Sequence, residues 1–394
     1  MIHIKNRYQI DDRKIVIIGA GKIGRSFIGQ LFSRSGYELV FVDIDKNLID
    51  NLNFQKQYKV IIKDDKRDEV IHIRNVRGVY LDDSGAVIRE LASASIAALC
   101  VGQQGLPDAI PVIARALVLR KMQFGDLPLD IIIAENMRNS DQYLNGELHR
   151  YLPPHYPLNE LVGLVETSIG KMAPIMSQKD MVEDPIQVFA EPYNTLIVAK
   201  SGFKNQVPQV LNLEAKENIK AWVDQKLFIH LLGHATAAYM GFRKRPQAVY
   251  IYEVLEDPEI LQVVRQTMLQ SADILMALYP GEFIPSQLII HIDDLLNRFR
   301  NRALGDTVFR VGCDLYRKLS PGDRMVAPIK TAMSLNKPYY LIFNALLAAI
   351  SFRATDEHGK FFPADEIFFS ESSRGTNYVL SNICKLDLQV DPAC

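Results

Sequence analysis

The stretch KIVIIGAGKIGRSFIGQLF, from Lys14 to Phe32, constrains this chain more than any other. Residues 15–18 are a β-branched run that ends in glycine, which reads as a buried strand. Apolar residues then recur at helical spacing until Gly36 closes the segment. ELVFVDID reads as a second strand and KNLIDNLN opens a second helix. A strand, a helix and a strand in that order start a parallel sheet with helices on its faces.

Gly19, Gly21 and Gly24 give G-x-G-x-x-G at the turn between that strand and its helix. The first glycine permits a tight turn, the second lets the backbone approach a pyrophosphate, and the third lets helix and strand pack closely. The amides at the helix start, from Gly21, Lys22, Ile23 and Gly24, then face the phosphates with the favourable end of the helix dipole. Asp43 ends the next strand, 19 residues after Gly24. A carboxylate there hydrogen-bonds the ribose hydroxyls of NAD and repels the 2′-phosphate of NADP. An ordinary tight turn would also use glycines, and it is the strand, the helix and the acidic residue together that favour a dinucleotide. Arg25 is placed to touch a phosphate or to be solvated.

ASIAALCVG and LDIIIAEN read as further central strands, with PDAIPVIARALVLRKM as a helix between them. ELVGLVETSI and NTLIVAKS read as the last strands, and residues 56–88 mix strand-like alternation with charge. Near residue 205 the pattern changes, and NLEAKENIKAWVDQKLFIHLLGHATAAYMG, DPEILQVVRQTMLQSADILMALY, SQLIIHIDDLLNRFRN and YYLIFNALLAAISFR all repeat apolar residues three and four apart. The fold class expected is an α/β Rossmann-type N-terminal domain, residues 1–205, followed by an all-α C-terminal domain, residues 206–394. At 394 residues two domains are the default, since domains run to roughly 100–200 residues.

A net charge of −1 gives no overall field that would draw the chain to nucleic acid or anionic lipid. The apolar stretch from Ile342 to Phe352 is far short of a membrane span. Cys100, Cys313, Cys384 and Cys394 show no CxxC pairing, which fits a reducing compartment. The first residues, MIHIKNRYQIDDRK, carry no apolar leader core. The expectation is a cytoplasmic, soluble protein with no nucleic-acid or membrane partner.

QKLFIHLLGHATAAY places Lys226, His230 and His234 four residues apart, on one stripe of an α-helix at about 100° per residue. A lysine in a partly apolar setting loses its proton near neutral pH and acts as a general base, with a histidine to orient it. A surface lysine above two core histidines would show the same spacing. A metal site is not expected, because no H-E-x-x-H accompanies the histidine pair. Downstream, RVGCDLYRKLSPGDR gathers Arg310, Arg317, Lys318 and Arg324, which suits an anionic or hydroxyl-rich substrate or else a solvated basic face.

Taken together, GAGKIGRSFIG, AENMRN, QKLFIHLLGHATAAYMG and RVGCDLYRKLSPGDR resemble, in this order and over nearly the whole chain, the motifs of the polyol-specific long-chain dehydrogenases. The resemblance implies NAD-dependent interconversion of a sugar alcohol or its phosphate, of the mannitol 1-phosphate type, and the ketose. It implies Lys226 as general base, Asn136 as holder of the developing alkoxide, and His234 as the group that positions the lysine or the substrate hydroxyl. It implies Arg310 and Lys318 as the substrate-binding pair, and Val101 and Gly102 as the lining of the nicotinamide side.

Two positions depart from the family pattern. The helix of the family reads lysine, four residues, asparagine, two residues, histidine, and here the asparagine position is Leu231. Losing such an oxyanion donor typically costs roughly 10²–10³ in turnover. His230 is a substitute donor only if it can reach round from about 100° away. The family's aspartate–arginine pair after VETSI is here Gly170–Lys171. Two alternatives therefore stand beside the dehydrogenase: an NAD-binding protein of the same fold with weakened or lost catalysis, and a hexuronate reductase. The oligomeric state is left open.

Overall fold

The computed structural model describes residues 10–65, 67–174, 176 and 178–386; Cys394 and the first nine residues lie outside the described residues. The chain divides into two compact units, Met1–Ile219 and Lys220–Cys394.

The first unit is built on an eight-stranded sheet in the order β11-β10-β8-β7-β6-β1-β2-β5. Its strands are β1 (Asp11–Ile18), β2 (Glu38–Asp43), β5 (Val76–Tyr80), β6 (Ala94–Leu99), β7 (Leu129–Ile133), β8 (Val162–Ile169), β10 (Leu196–Ala199) and β11 (Leu213–Lys216). From β8 to β5 every pairing is parallel, while β10 runs antiparallel to β8. The continuous apolar run of β1 follows from this position: both faces of a central parallel strand are covered. Ile15 and Ile17 enter one core with Phe27, Phe41 and Tyr58, while Val16 and Ile18 enter the other with Val40, Val42 and Ile110. The alternating stretch 56–88 resolves into β5 and a hairpin of β3 (Gln57–Ile62) with β4 (Glu69–Arg74), which forms a second sheet with β9 (Val188–Ala190).

The first unit continues to Ile219, past the change in periodicity at residue 205, because β11 pairs in parallel with β10. This four-residue edge strand, LEAK, is mostly half-buried and carries charge at two positions, so it lacks an apolar signature.

β1 lies between β2 and β6, so the chain leaves it in opposite directions on its two sides. The crevice outside the carboxyl ends at such a reversal is where open α/β sheets bind ligands. Gly19, Asp43, Val101 and Asn136 all follow or end adjacent strands at that edge.

The second unit is helical, and the described residues there include no strand beyond an isolated bridge between Tyr250 and Thr307. A helix over residues 219–244 is followed by Pro258–Leu278, Pro285–Phe299, Val308–Gly312, Leu315–Lys318, Val326–Ser334 and Tyr340–Ile350, among others. Tyr239, fully buried, donates to the Gly312 carbonyl at 3.1 Å and meets Phe352 edge-on, which ties the first of these helices to the segment carrying Arg310.

Three π segments occur among the described residues: Gly24–Gly29 after the glycine turn, Lys226–Leu231 at the lysine, and Val379–Ile383. Hydrogen bonds from i to i+5 widen the turn, and such segments recur at functional sites.

Candidate active site

The glycine turn is explained by what a side chain would meet there. Gly19 has φ +100°, and a Cβ on it would lie 2.4 Å from the Cys100 carbonyl oxygen. A Cβ on Gly24 would lie 2.0 Å from the Gly19 carbonyl oxygen and would push the helix off β1. Gly21 has open space on its Cβ side. The first and third glycines are therefore required by the fold, and the second leaves room for a ligand backbone contact. Asp43 Oδ2 accepts from Ala20 N at 2.7 Å and its Oδ1 from Asp45 N at 3.0 Å, which aims the carboxylate at the mouth of the turn. Ile44, beside it, is 68% exposed and offers an apolar surface. This set fits a dinucleotide: open backbone at the helix start, a fixed carboxylate and an apolar ledge.

Arg25 is not a solvated surface arginine. Its Nε donates to the Ala20 carbonyl at 2.6 Å and its Nη1 to the Ile186 carbonyl at 2.6 Å, so the guanidinium braces the turn. Tyr58 Oη donates to the Arg25 carbonyl at 2.7 Å within the π segment.

Val101 and Gly102 follow β6, where the Glu135 carboxylate accepts from Gly102 N at 2.9 Å and also from the Val101 amide. Burial pushes the Glu135 carboxyl up from its ordinary value. The next residue, Asn136, is exposed at the end of β7. The Lys171 ammonium, 6% exposed, donates to the Glu191 carbonyl at 3.2 Å, the Tyr193 carbonyl at 2.9 Å and Asn194 Oδ1 at 2.9 Å. Lys171 thus binds a loop of its own unit, a structural use of the position where the family pattern has arginine.

In the second unit the rings of His230 and His234 lie 6.4 Å apart and both pack on Phe299, and the charge of Lys226 acts on His230. Within the π segment Lys226–Leu231 it is exposure that separates the positions. Lys226, Leu231 and His234 are partly exposed, while His230 is buried at 5%. His230 is a core histidine that packs against Phe299, with burial holding it well below the ordinary histidine range.

Burial, helped by the charge of Arg324, pushes the Lys226 ammonium down to about 8. At pH 7 roughly one such lysine in ten is neutral, against roughly one in 2,500 for an ordinary lysine. His234 stacks flat on Phe299, with centroids 4.5 Å apart and planes at 8°. Burial and the cations Arg310, Arg324, Lys318 and Arg298 push it down to about 3, so its ring is neutral in the physiological range. Asp306, 4% exposed, lies 3.3 Å from His234 Nε2 and ion-pairs with Arg310.

Lys318 is 5% exposed, and its ammonium donates to the carbonyls of Val311, at 2.8 Å, and Cys313. Burial and Arg324 push it down to about 8. Two of its three protons are thus used within the fold. Arg324, 8% exposed, has its Nε held by Asp323 Oδ1 at 2.8 Å. Sequence reading missed Glu135, Asp306 and Ile44, since single acids and one isoleucine carry no motif. It named Arg324 only as part of a basic cluster.

Among the described residues no helix is long and apolar enough to cross a membrane, and no group of three or more histidine, cysteine or carboxylate side chains is placed to hold a metal.

Two family models match the chain: the mannitol dehydrogenase Rossmann domain over residues 13–212 and the mannitol dehydrogenase C-terminal domain over residues 218–378. The fold is shared with mannitol 2-dehydrogenase from Pseudomonas fluorescens, solved as a ternary complex with NAD and D-mannitol. That match has 18% identity and a TM-score of 0.72, over 94% of this chain and 86% of the other. A D-sorbitol dehydrogenase solved in substrate-free form matches with 17% identity and a TM-score of 0.72, over 96% of this chain and 87% of the other.

Proposed function

We propose, from the premise that the chain belongs to the mannitol dehydrogenase family, that it is an NAD-dependent oxidoreductase interconverting a sugar alcohol or its phosphate, of the mannitol 1-phosphate type, and the ketose. One observation carries the reading: Lys226, a lysine brought down to about 8 by burial, is partly exposed on a helix that, one segment on, also presents His234 partly exposed. A base of that strength operates near neutral pH.

In this reading Gly19, Gly21, Lys22, Ile23, Gly24 and Asp43 hold the dinucleotide, with Val101 and Gly102 on its nicotinamide side. NAD, when bound, supplies the acceptor for the hydride that leaves the carbinol carbon. Lys226 Nζ takes the hydroxyl proton as that hydride departs, and returns it in ketose reduction. Asn136 donates to the developing alkoxide. His234, neutral, positions the substrate hydroxyl or the lysine. Arg310 and Lys318, with Arg324 beside them in charge, bind the polar end of the substrate. A terminal phosphate suits this excess of cations, and a hexuronate carboxylate would pair with the same guanidinium groups.

One observation favours weakened catalysis in the same fold. Leu231, partly exposed, stands at the position where the family pattern has a second oxyanion donor. NADH oxidation by the purified chain, with fructose 6-phosphate, free fructose and a keto-hexuronate in parallel, separates the readings. Turnover with the phosphorylated ketose supports the first. Preference for the keto-hexuronate moves the substrate class. NADH binding with no turnover on any of the three supports the loss of catalysis.

A further inference from the structure

The Asp306 carboxylate is a buried charge with few partners. It is 4% exposed, and among the described residues neither of its oxygens accepts a hydrogen bond from a backbone amide or a hydroxyl. A carboxylate taken out of water without partners is strongly disfavoured, so whatever stands beside it balances its charge. The Arg310 guanidinium, four residues on, supplies that charge, and the uncharged His234 ring stands with Nε2 at 3.3 Å, where it can only donate a hydrogen bond. Its backbone is fixed as well. The Asp306 carbonyl accepts from Ile251 N at 2.9 Å, and Thr307, the next residue, caps the helix that carries Arg310 through a 3.1 Å bond to Arg310 N.

We propose that Asp306 is the positioning residue that sets the tautomer of His234 and keeps Arg310 beside it. An ionised carboxylate only accepts hydrogen bonds, so the imidazole nitrogen that faces it carries the ring proton. A neutral imidazole has one such proton, which leaves Nδ1 as an acceptor. Phe299 clamps the face of the ring and Asp306 takes its Nε2 edge, so both rotation and tautomer are fixed. At 3.3 Å the pair is looser than a tight charge-assisted bond and is not yet aligned as one, the geometry that catalytic pairs show before substrate arrives. With Nδ1 free to accept, His234 takes a hydrogen bond from a substrate hydroxyl next to the reacting one, and so holds the reacting hydroxyl with its own proton toward the base. The cations around the ring are Arg310, Arg324, Lys318 and Arg298, with the uncharged His230 ring 6.4 Å away; among the described residues Asp306 is the carboxylate in ion-pair reach of it.

The structural part of this inference is independent of substrate; its consequence for turnover rests on the dehydrogenase reading. The test is a ¹⁵N–¹H correlation spectrum of histidine-labelled protein at pH 7, with His234 assigned by the signal lost in His234→Gln. The wild type is expected to show His234 neutral with the proton on Nε2, and Asp306→Asn to show a mixture of tautomers. Turnover in Asp306→Asn is expected to fall by roughly 10- to 100-fold with NADH affinity unchanged, less than the ~10⁴ lost when the orienting aspartate of a serine-protease triad is amidated, because His234 is not itself the base. A wild-type His234 with its proton on Nδ1 would overturn the proposal, even if Asp306→Asn does not fold. So would an unchanged His234 spectrum in a folded Asp306→Asn. A tautomer change in a protein that reduces none of the tested ketoses would sustain the role of Asp306 and sink the dehydrogenase reading alone.

Discussion

The π segment after the glycine turn and the one at the lysine make an instructive pair. Gly24–Gly29 follows a turn that works through its backbone: Gly19 and Gly24 exclude side chains, Gly21 leaves space, and Arg25 is spent bracing carbonyls. Lys226–Leu231 works through its side chains: Lys226 and Leu231 are partly exposed and His230 is buried. The first leaves a record in sequence, because only glycine satisfies the contacts. The second leaves none, because no residue type is needed to add one residue to a helical turn. A backbone site tolerates side-chain change outside its glycines, whereas a side-chain site fails with a single truncation.

That contrast can be broken by substitution, beginning where the effect is largest. Lys226→Ala should lower turnover by roughly 10²–10⁴, the usual contribution of a general base, while NADH affinity measured by fluorescence stays unchanged. A fall in both would mean that the two sites are not separable. Leu231→Asn places a donor at the position where the family pattern has one and should raise turnover by up to roughly 10²–10³ in steady-state assays. No gain would show that the π segment does not present position 231 to the reacting oxygen. Asp43→Ala should weaken NADH by roughly 10- to 100-fold, the loss expected for hydrogen bonds to a charged group, and narrow the preference against NADPH. Unchanged titrations with both cofactors would remove Asp43 from the site. The smallest effect separates two glycines. Gly21→Ala should leave the melting temperature in place and weaken NADH several-fold, since its Cβ meets only open space, while Gly24→Ala should lower the melting temperature through its clash with the Gly19 carbonyl.

Much of the first unit was legible because its physics is local. The four β-branched residues after Lys14, the glycine spacing and Asp43 sit within one β-α-β unit, and the sheet assembled around them as the periodicity implied. β11 was not legible, since an edge strand of mixed polarity has no apolar face to display. The bracing contacts of Arg25 were not legible because its partners, the carbonyls of Ile186 and Gln187, lie far along the chain. The same holds in the second unit. Lys226 and His234 could be named from spacing, but the burial of His230 depends on the π segment and on Phe299. Lys318 could be named as a cation, but its bonds to the Val311 and Cys313 carbonyls follow from the short helix that holds it. Asp306 is one of many acids in sequence, and only folding sets it against His234 and Arg310.

The central claim is that Lys226 is the base, and the pH dependence of turnover tests it most directly. Oxidation of the polyol needs the neutral amine, so with the lysine brought down to about 8 the rate should rise with pH through that value and level off above it. Ketose reduction needs the ammonium and should fall through the same value. Mirror-image limbs near 8 in the two directions, both absent from the residual activity of Lys226→Ala, are the predicted result. Rates flat from pH 7 to 9 in both directions, or limbs that persist without Lys226, would contradict the account.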